Sequence, residues 1–173
     1  MAIKITKGQL TSWSADSDFI VWFDKHYHEG EADYQAVLDM LATEDKPNDA
    51  DWLMDNAGAD TSTVLSVESI NAKHLFFAGR VEVKLSAIVT GRVRIGGSIE
   101  AGGSIEAGRY IEAGESIEAG WYIKAGDGFG LFAGVNVRIA DWSVLATVTA
   151  KTKPKNLISG HWVDSAPAEA GAR

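Results

Sequence analysis

IEAGGS-IEAGRY-IEAGES-IEAGWY-IKAGDG, residues 99–128, is one hexapeptide repeated five times, and its reading decides the fold. Isoleucine recurs at Ile99, Ile105, Ile111, Ile117 and Ile123, and alanine two positions later at Ala101, Ala107, Ala113, Ala119 and Ala125. A helix needs apolar residues at a 3.6 period, and a glycine every six residues would weaken it throughout. Two apolar positions two apart put both side chains on one face of a short strand, and the glycine after them makes a corner. Units of this kind cannot bury a core alone. They stack as coils, each covering the next.

The same frame extends outside the perfect copies. Backwards it gives Val93 with Ile95, Ala87 with Val89, Val81 with Val83, and Leu75 with Phe77. Forwards it gives Phe129 with Leu131 and Val135 with Val137, and it breaks at Asp141, where a charge lands on an inward position. Residues 75–140 therefore hold eleven hexads, nearly four coils of eighteen residues. At roughly 4.8 Å between strands the prism would stand about 15–20 Å tall. Its open strand edges need covering. The expected organisation is an acidic helical head at 1–60, a connector at 61–74, the β-helix at 75–140, cap strands at 141–163 and a disordered tail at 164–173 ending in SAPAEAGAR. The fold class is mainly β: a short single-stranded β-helix, a triangular solenoid, with a small α-helical N-terminal segment.

The repeat resembles two known kinds of hexapeptide helix. The left-handed acyltransferase type wants a small inward residue at its fifth position, which here holds Gly103, Arg109, Glu115, Trp121 and Asp127. Three charges do not belong in a dry core, so that position is an outward corner and only Ile and Ala face inward. The right-handed bactofilin type is an equally good relative, and the hand stays open.

Composition narrows the function. The chain has 173 residues, no cysteine and a net charge of −8. Without cysteine there is no disulfide or thiolate metal site, which suits a reducing compartment. No apolar leader or long apolar run occurs, so the expectation is a soluble, cytoplasmic protein with no membrane partner. Residues 1–60 carry thirteen acids against four lysines, a net of −9, and residues 61–173 carry the remaining +1. Direct nucleic-acid binding by the head is disfavoured, because phosphate neutralisation needs Lys and Arg; an acidic segment suits a basic partner.

The head reads as three short helices. Ser14 or Asp16 caps a helix carrying Phe19, Ile20, Phe23 and Tyr27, with Gly30 after its end. Tyr34, Val37, Leu38 and Leu41 share one face of a second. Asp49 caps a third containing Trp52 and Leu53, with Gly58 as its stop. Such helices are marginal alone, so they pack on each other around Trp13, Trp22 and Trp52 or over the open end of the prism.

Catalytic chemistry finds no home in the repeats. The histidines are His26, His28, His74 and His161, all outside 75–140, where an acyltransferase base or a zinc-binding set would sit. His26 and His28 are two apart, so a helix does not bring them together. The glycines turn corners rather than cradle phosphate. No catalytic residue, metal site or cofactor is expected. The outward positions say more. Residues eighteen apart lie one coil above another, so Glu82, Glu100 and Glu118 form a column of like charge. Glu106 stacks on Lys124, Arg94 on Glu112 and Arg109 on Asp127. The column is either a solvated face duplicated with the repeat or an acidic strip for a basic groove. Tyr110, Trp121 and Tyr122 lie at corners as edge packing or as partner anchors.

The two halves together resemble a group of small phage and prophage proteins. Their helical head, seen here as Trp22-Phe23, Tyr34, Val37, Leu41 and Asn48-Asp49-Ala50-Asp51-Trp52-Leu53, precedes IxAGxx repeats. The resemblance implies an anti-defence protein of the anti-CRISPR kind. Its partner would be a host protein or ribonucleoprotein with a basic surface, met by Asp16, Asp18, Asp24, Glu29, Glu31 and Asp33 of the head and Glu82, Glu100, Glu106, Glu118, Tyr110, Trp121 and Tyr122 of the solenoid. The rival expectations are a bactofilin-like scaffold that self-assembles through its open coils, as a homo-oligomer, and an acyltransferase-like enzyme.

Overall fold

The computed structural model describes residues 3–165. The head begins with strand β1 (Lys4–Thr6) and helices α1 (Lys7–Ser12) and α2 (Ser17–His26). Strand β2 (Glu31–Asp33), antiparallel to β1, then leads into α3 (Tyr34–Thr43) and α4 (Pro47–Ala57). Each start has a local cause. Thr6 and Gln9 form a reciprocal capping box, and Asp16 and Asp33 accept from the backbone N–H groups of Phe19 and Ala36 at 2.8 and 3.0 Å. The start of α4 corrects the reading of Asp49 as a cap: Pro47 opens the helix, and Asp49 sits in its first turn. Phe19, Trp22, Phe23, Tyr34, Leu38 and Leu41 are buried, with Trp13 and Trp52 packed at the edge of this core.

The solenoid starts earlier than its frame. Strands β3 (Val64–Val67) and β4 (Ile70–Ala72) occupy the stretch read as a connector. They escape the hexad frame because their corners are shorter: Leu65 pairs with Val81 sixteen residues on and Ile70 with Ala87 seventeen on, whereas Leu75 pairs with Val93 at eighteen. From there the frame holds through β5 (Leu75–Phe77), β6 (Arg80–Val83), β7 (Ala87–Val89), β8 (Val93–Ile95), β9 (Ile99–Ala101), β10 (Ile105–Ala107), β11 (Ile111–Ala113), β12 (Ile117–Ala119) and β13 (Ile123–Lys124).

After Ala125 the frame fails. Leu131 and Ala133 are the buried pair, on and after β14 (Leu131–Phe132), while Phe129 and Val135 are exposed. Residues 135–146, expected to hold an inward pair, instead leave the prism as an excursion containing a 3₁₀ turn at Ile139–Asp141 and helix α5 (Trp142–Leu145). The chain returns as β15 (Thr147–Ala150), β16 (Leu157–Ser159) and β17 (His161–Asp164), which continue the coils. Asp164, read as the start of the tail, ends β17, and residues 166–173 lie outside the described residues.

The result is a parallel β-solenoid of three sheets. A six-stranded sheet runs β3-β6-β9-β12-β15-β17, a four-stranded one β4-β7-β10-β13, and a five-stranded one β5-β8-β11-β14-β16. Its core is the column of Ile and Ala from the copies, closed by Val81, Val93, Leu131 and Val148. Burying each such Ile stabilises the stack by about 1.5–3 kcal/mol. The glycines have a separate role. A Cβ on Gly102, Gly108, Gly114, Gly120 or Gly126 would lie 1.9–2.3 Å from the carbonyl oxygen eighteen residues earlier. The coils therefore touch backbone to backbone at each corner, and Gly102, Gly108, Gly114 and Gly120 carry the ladder through by donating to Val83, Val89, Ile95 and Ala101.

Candidate functional site

The three faces of the prism are not equivalent, and the head decides which are open. It lies across the five-stranded sheet. Gln35 of α3 presents its side-chain amide to the outer edge of β5, donating to the Phe76 carbonyl at 2.8 Å and accepting from the Ala78 N–H at 3.0 Å. That amide stands where a further strand would pair. Phe76 and Ala78 belong to the head's core.

Farther along this face α4 meets two arginines of β8 and its corner. Arg92 reaches Asp51 at 2.6 Å, and Arg94 contacts the Asp51 carbonyl at 2.9 Å, the Asp55 carboxylate, and Glu112 at 3.0 Å. The Tyr110 hydroxyl donates to Asp51 at 2.5 Å, under the Arg92 guanidinium. Burial works against the charge on Arg94, but Asp55, Glu112 and Asp51 together hold its pKa above the ordinary value. Burial raises the Glu112 carboxyl, and it also pushes up the Tyr110 phenol, aided by its bond to Asp51. At the near end His74, buried, takes the Arg92 N–H on Nδ1 and so donates through Nε2 to Asp45 at 2.9 Å. Lys73 joins Asp45 at 2.7 Å. Lys73 and His74 hold the Asp45 carboxyl below its usual range.

This network commits part of the head's acidic charge. Asp45, Asp51 and Asp55 already have a basic partner, which is the solenoid. Tyr110, expected at a corner as edge packing or as a partner anchor, is half-buried in that internal interface. Of the other head residues, Asp16 and Asp33 cap helices, Asp24 pairs with Lys7 at 2.5 Å and Glu31 with Lys4. Asp18 and Glu29 are exposed. His26 lies between the Trp22 carbonyl and Glu44, each at 2.8 Å, and is committed to the head's own packing.

The six-stranded face is open, and the column of like charge lies on it in the expected register. Glu82, Glu100 and Glu118 are successive partners on β6, β9 and β12. Arg80 spans the first two, at 3.3 Å from Glu82 and 3.1 Å from Glu100. Ser66 donates to Glu82 and Ser116 to Glu118, each at 3.1 Å. A shallow groove runs beside this column, between Ser66 and Lys84. On the four-stranded face Glu106 stacks beside Lys124 and accepts from the Tyr122 hydroxyl at 2.5 Å. Trp121 is 60% exposed with Lys151 4.2 Å above its ring, whereas Arg109 lies over Phe129 rather than against Asp127.

Two features escaped the sequence reading. Arg94 stands where the perfect copies carry Glu, and Arg92 where they carry Ser, Tyr or Gly, a signal that this face meets acid. The excursion exposes Val135, Ile139, Val144 and Leu145, with Ile139 at 95%; the break in the frame at Asp141 marked where to look. Among the described residues no helix is long and apolar enough to cross a membrane.

Comparison with known proteins places only the head. Residues 1–59 match the family model described as the YdhT N-terminal domain, a stretch that ends before β3. No curated protein and no solved structure matches the chain.

Proposed function

We propose that this chain is a non-enzymatic binding protein. It blocks a basic, nucleic-acid-binding surface of another protein, in the manner of the anti-defence factors that its sequence resembles. The observation that carries the reading is the open six-stranded face. Glu82, Glu100 and Glu118 stand there one coil apart, and the single arginine of that column compensates only the first two. Like charges at directly opposed positions weaken a sheet, so folding alone gives no reason for them. A rigid acidic comb at a spacing of roughly 4.8 Å suits a groove built to hold successive phosphates. The exposed apolar excursion at Val135, Ile139, Val144 and Leu145 adds a contact that salt does not weaken.

The test is affinity capture from a lysate of the host, repeated across salt concentrations, with Glu82, Glu100 and Glu118 reversed to Lys as the control. Capture of a nucleic-acid-binding protein that is competed by its nucleic acid, fades with salt and disappears with the triple variant supports the reading. A catch that ignores both salt and the triple variant removes it. The scaffold alternative receives less support from this architecture. Among the described residues the three sheets end at different heights and Gln35 occupies the β5 edge, so neither end presents a full set of free strands for coil-on-coil stacking.

A further inference from the structure

In the coil that begins at β15 the four-stranded side is closed by a loop. The chain leaves β15 at Ala150 and forms β16 only at Leu157, so residues 151–156 cross this side. Pro154, buried, lies over Ile123 in the position above β13. It has no N–H to give to a ladder, and β13 pairs with β10 alone. Two bonds fix the ends of the loop. Lys151 donates its backbone N–H to the Trp121 carbonyl at 2.9 Å, and the Asn156 amide donates to the Gly126 carbonyl at 3.3 Å. The space left between β13 and the loop is a notch of about 530 Å³. Those two contacts close both its ends, so an extended chain cannot run through it.

The notch gathers positive charge in a chain whose net charge is −8. Lys153 and Lys155, the exposed neighbours of Pro154, line it together with Lys124 of β13. Among the described residues none of the three has a carboxylate within 4 Å. Asp127 is the acid in the lining. Glu106, one rung below Lys124, instead takes the Tyr122 hydroxyl at 2.5 Å. Like charges on adjacent rungs repel, and the bonds at the loop's ends keep these lysines on one side despite the repulsion. A bound polyanion removes it. We propose that this notch binds a compact ligand carrying two or three linked phosphates, the group shared by nucleoside di- and triphosphates and inorganic polyphosphate. A single carboxylate leaves most of the lysine charge unmatched, whereas linked phosphates set several charges within one small space. Ammonium groups act on them as point charges that need no planar fit. The closed ends exclude a passing nucleic-acid strand, and the volume lies in the range of small-ligand pockets. Tyr122, 40% exposed beside the lysines, offers a ring to a base where the ligand is a nucleotide. The site lies off the six-stranded face and does not depend on the binding function proposed above.

The test is titration calorimetry on the full chain, without divalent metal, using tripolyphosphate, ATP, AMP and orthophosphate. The expected result is saturable binding of tripolyphosphate and ATP, at least tenfold tighter than that of AMP or orthophosphate. Lys153→Gln with Lys155→Gln, in a loop that carries no ladder, weakens both by at least tenfold and leaves the melting curve unchanged. Lys25→Gln with Lys84→Gln removes the same charge from exposed positions elsewhere and leaves the affinity within twofold. Equal affinity for ATP and tripolyphosphate assigns the notch to the phosphate chain alone. Tighter binding of ATP that Tyr122→Ala reduces to the tripolyphosphate level assigns it to a nucleotide. Absence of binding up to about 1 mM, equal binding of orthophosphate and tripolyphosphate, or an equal loss in the two double variants overturns the proposal. So does a single-stranded oligonucleotide that binds the loop lysines more tightly than either, which would make them an open strand-binding surface.

Discussion

The head and the solenoid satisfy their backbones by opposite means. In the head the decisive bonds are local: Thr6, Asp16 and Asp33 each cap a helix from three residues away. In the solenoid the strands from β5 to β13 pair across eighteen residues. One residue type consequently has two meanings. Gly30 in the head has a φ of 74° with open space around it, so its backbone conformation selects glycine. Gly108 has an ordinary φ, and a Cβ there would lie 2.0 Å from the Thr90 carbonyl oxygen. Conformation selects the first glycine and the neighbouring coil selects the second.

The sharpest way to break that comparison is to load both glycines. Gly108→Val should cost about 4 kcal/mol or more, because backbone has to move out of the way, lowering the melting temperature by about 10 °C or abolishing the cooperative transition. Should the melt move by no more than a degree or two, the coils are not in backbone contact as described. Next in size is Arg94→Met, which strips the shared cation from Asp51, Asp55 and Glu112, at about 3 kcal/mol. Hydrogen exchange should quicken in α3 and α4 while β9 to β12 keep their protection; uniform quickening would mean that head and solenoid melt as one unit. Gly30→Ala should cost only about 1 kcal/mol, seen as a shift of a few degrees in the same melt.

Acid probes the join more gently. The Asp45 carboxyl is held down by Lys73 and His74, and that of Glu44 by Trp22 and then His26. A depressed folded value means that each contributes stability present above its ordinary value. That contribution is lost as pH falls below 3.8 for Asp45 and 4.5 for Glu44. Glu112, raised by burial, contributes in the opposite sense and protonates at higher pH. The fluorescence of Trp22, whose indole donates to Glu44 at 2.7 Å, should report loosening of the 44–45 turn in that range. Lys73→Met should make the turn less acid-sensitive. The smallest effect belongs to Glu118→Gln, which should leave stability within about 0.5 kcal/mol; a larger loss would make the ladder structural rather than available to a partner.

Much of this fold was legible because a repeat states its geometry many times over. Ile99 to Ala125 gave period, inward pair and corner together, and the register of Glu82, Glu100 and Glu118 followed by counting. The ends were not legible for one reason: shortening a corner by a residue, as between β3, β4 and β5, shifts the count without altering the pattern of residue types. Past Gly126 the insertions grow, and a strand such as β15 pairs with β12 thirty-one residues back, from Val148 to Ile117, which no period announces. Sites behaved likewise. Trp121 stands exposed, while Tyr110, at the corner between β10 and β11, is half-buried against Asp51 of α4.

The sequence by itself determined that Ile and Ala fill a prism and that charged corners face out, because a six-residue period admits no other way to bury one face. Only the tertiary structure decided which charges remain available. The docking of α4 on β8 commits Asp51 and Asp55 to Arg92 and Arg94, while the open sheet keeps its glutamates. Those outcomes depend on contacts between residues some forty apart, for which pairing in space, and no local pattern, sets the partner.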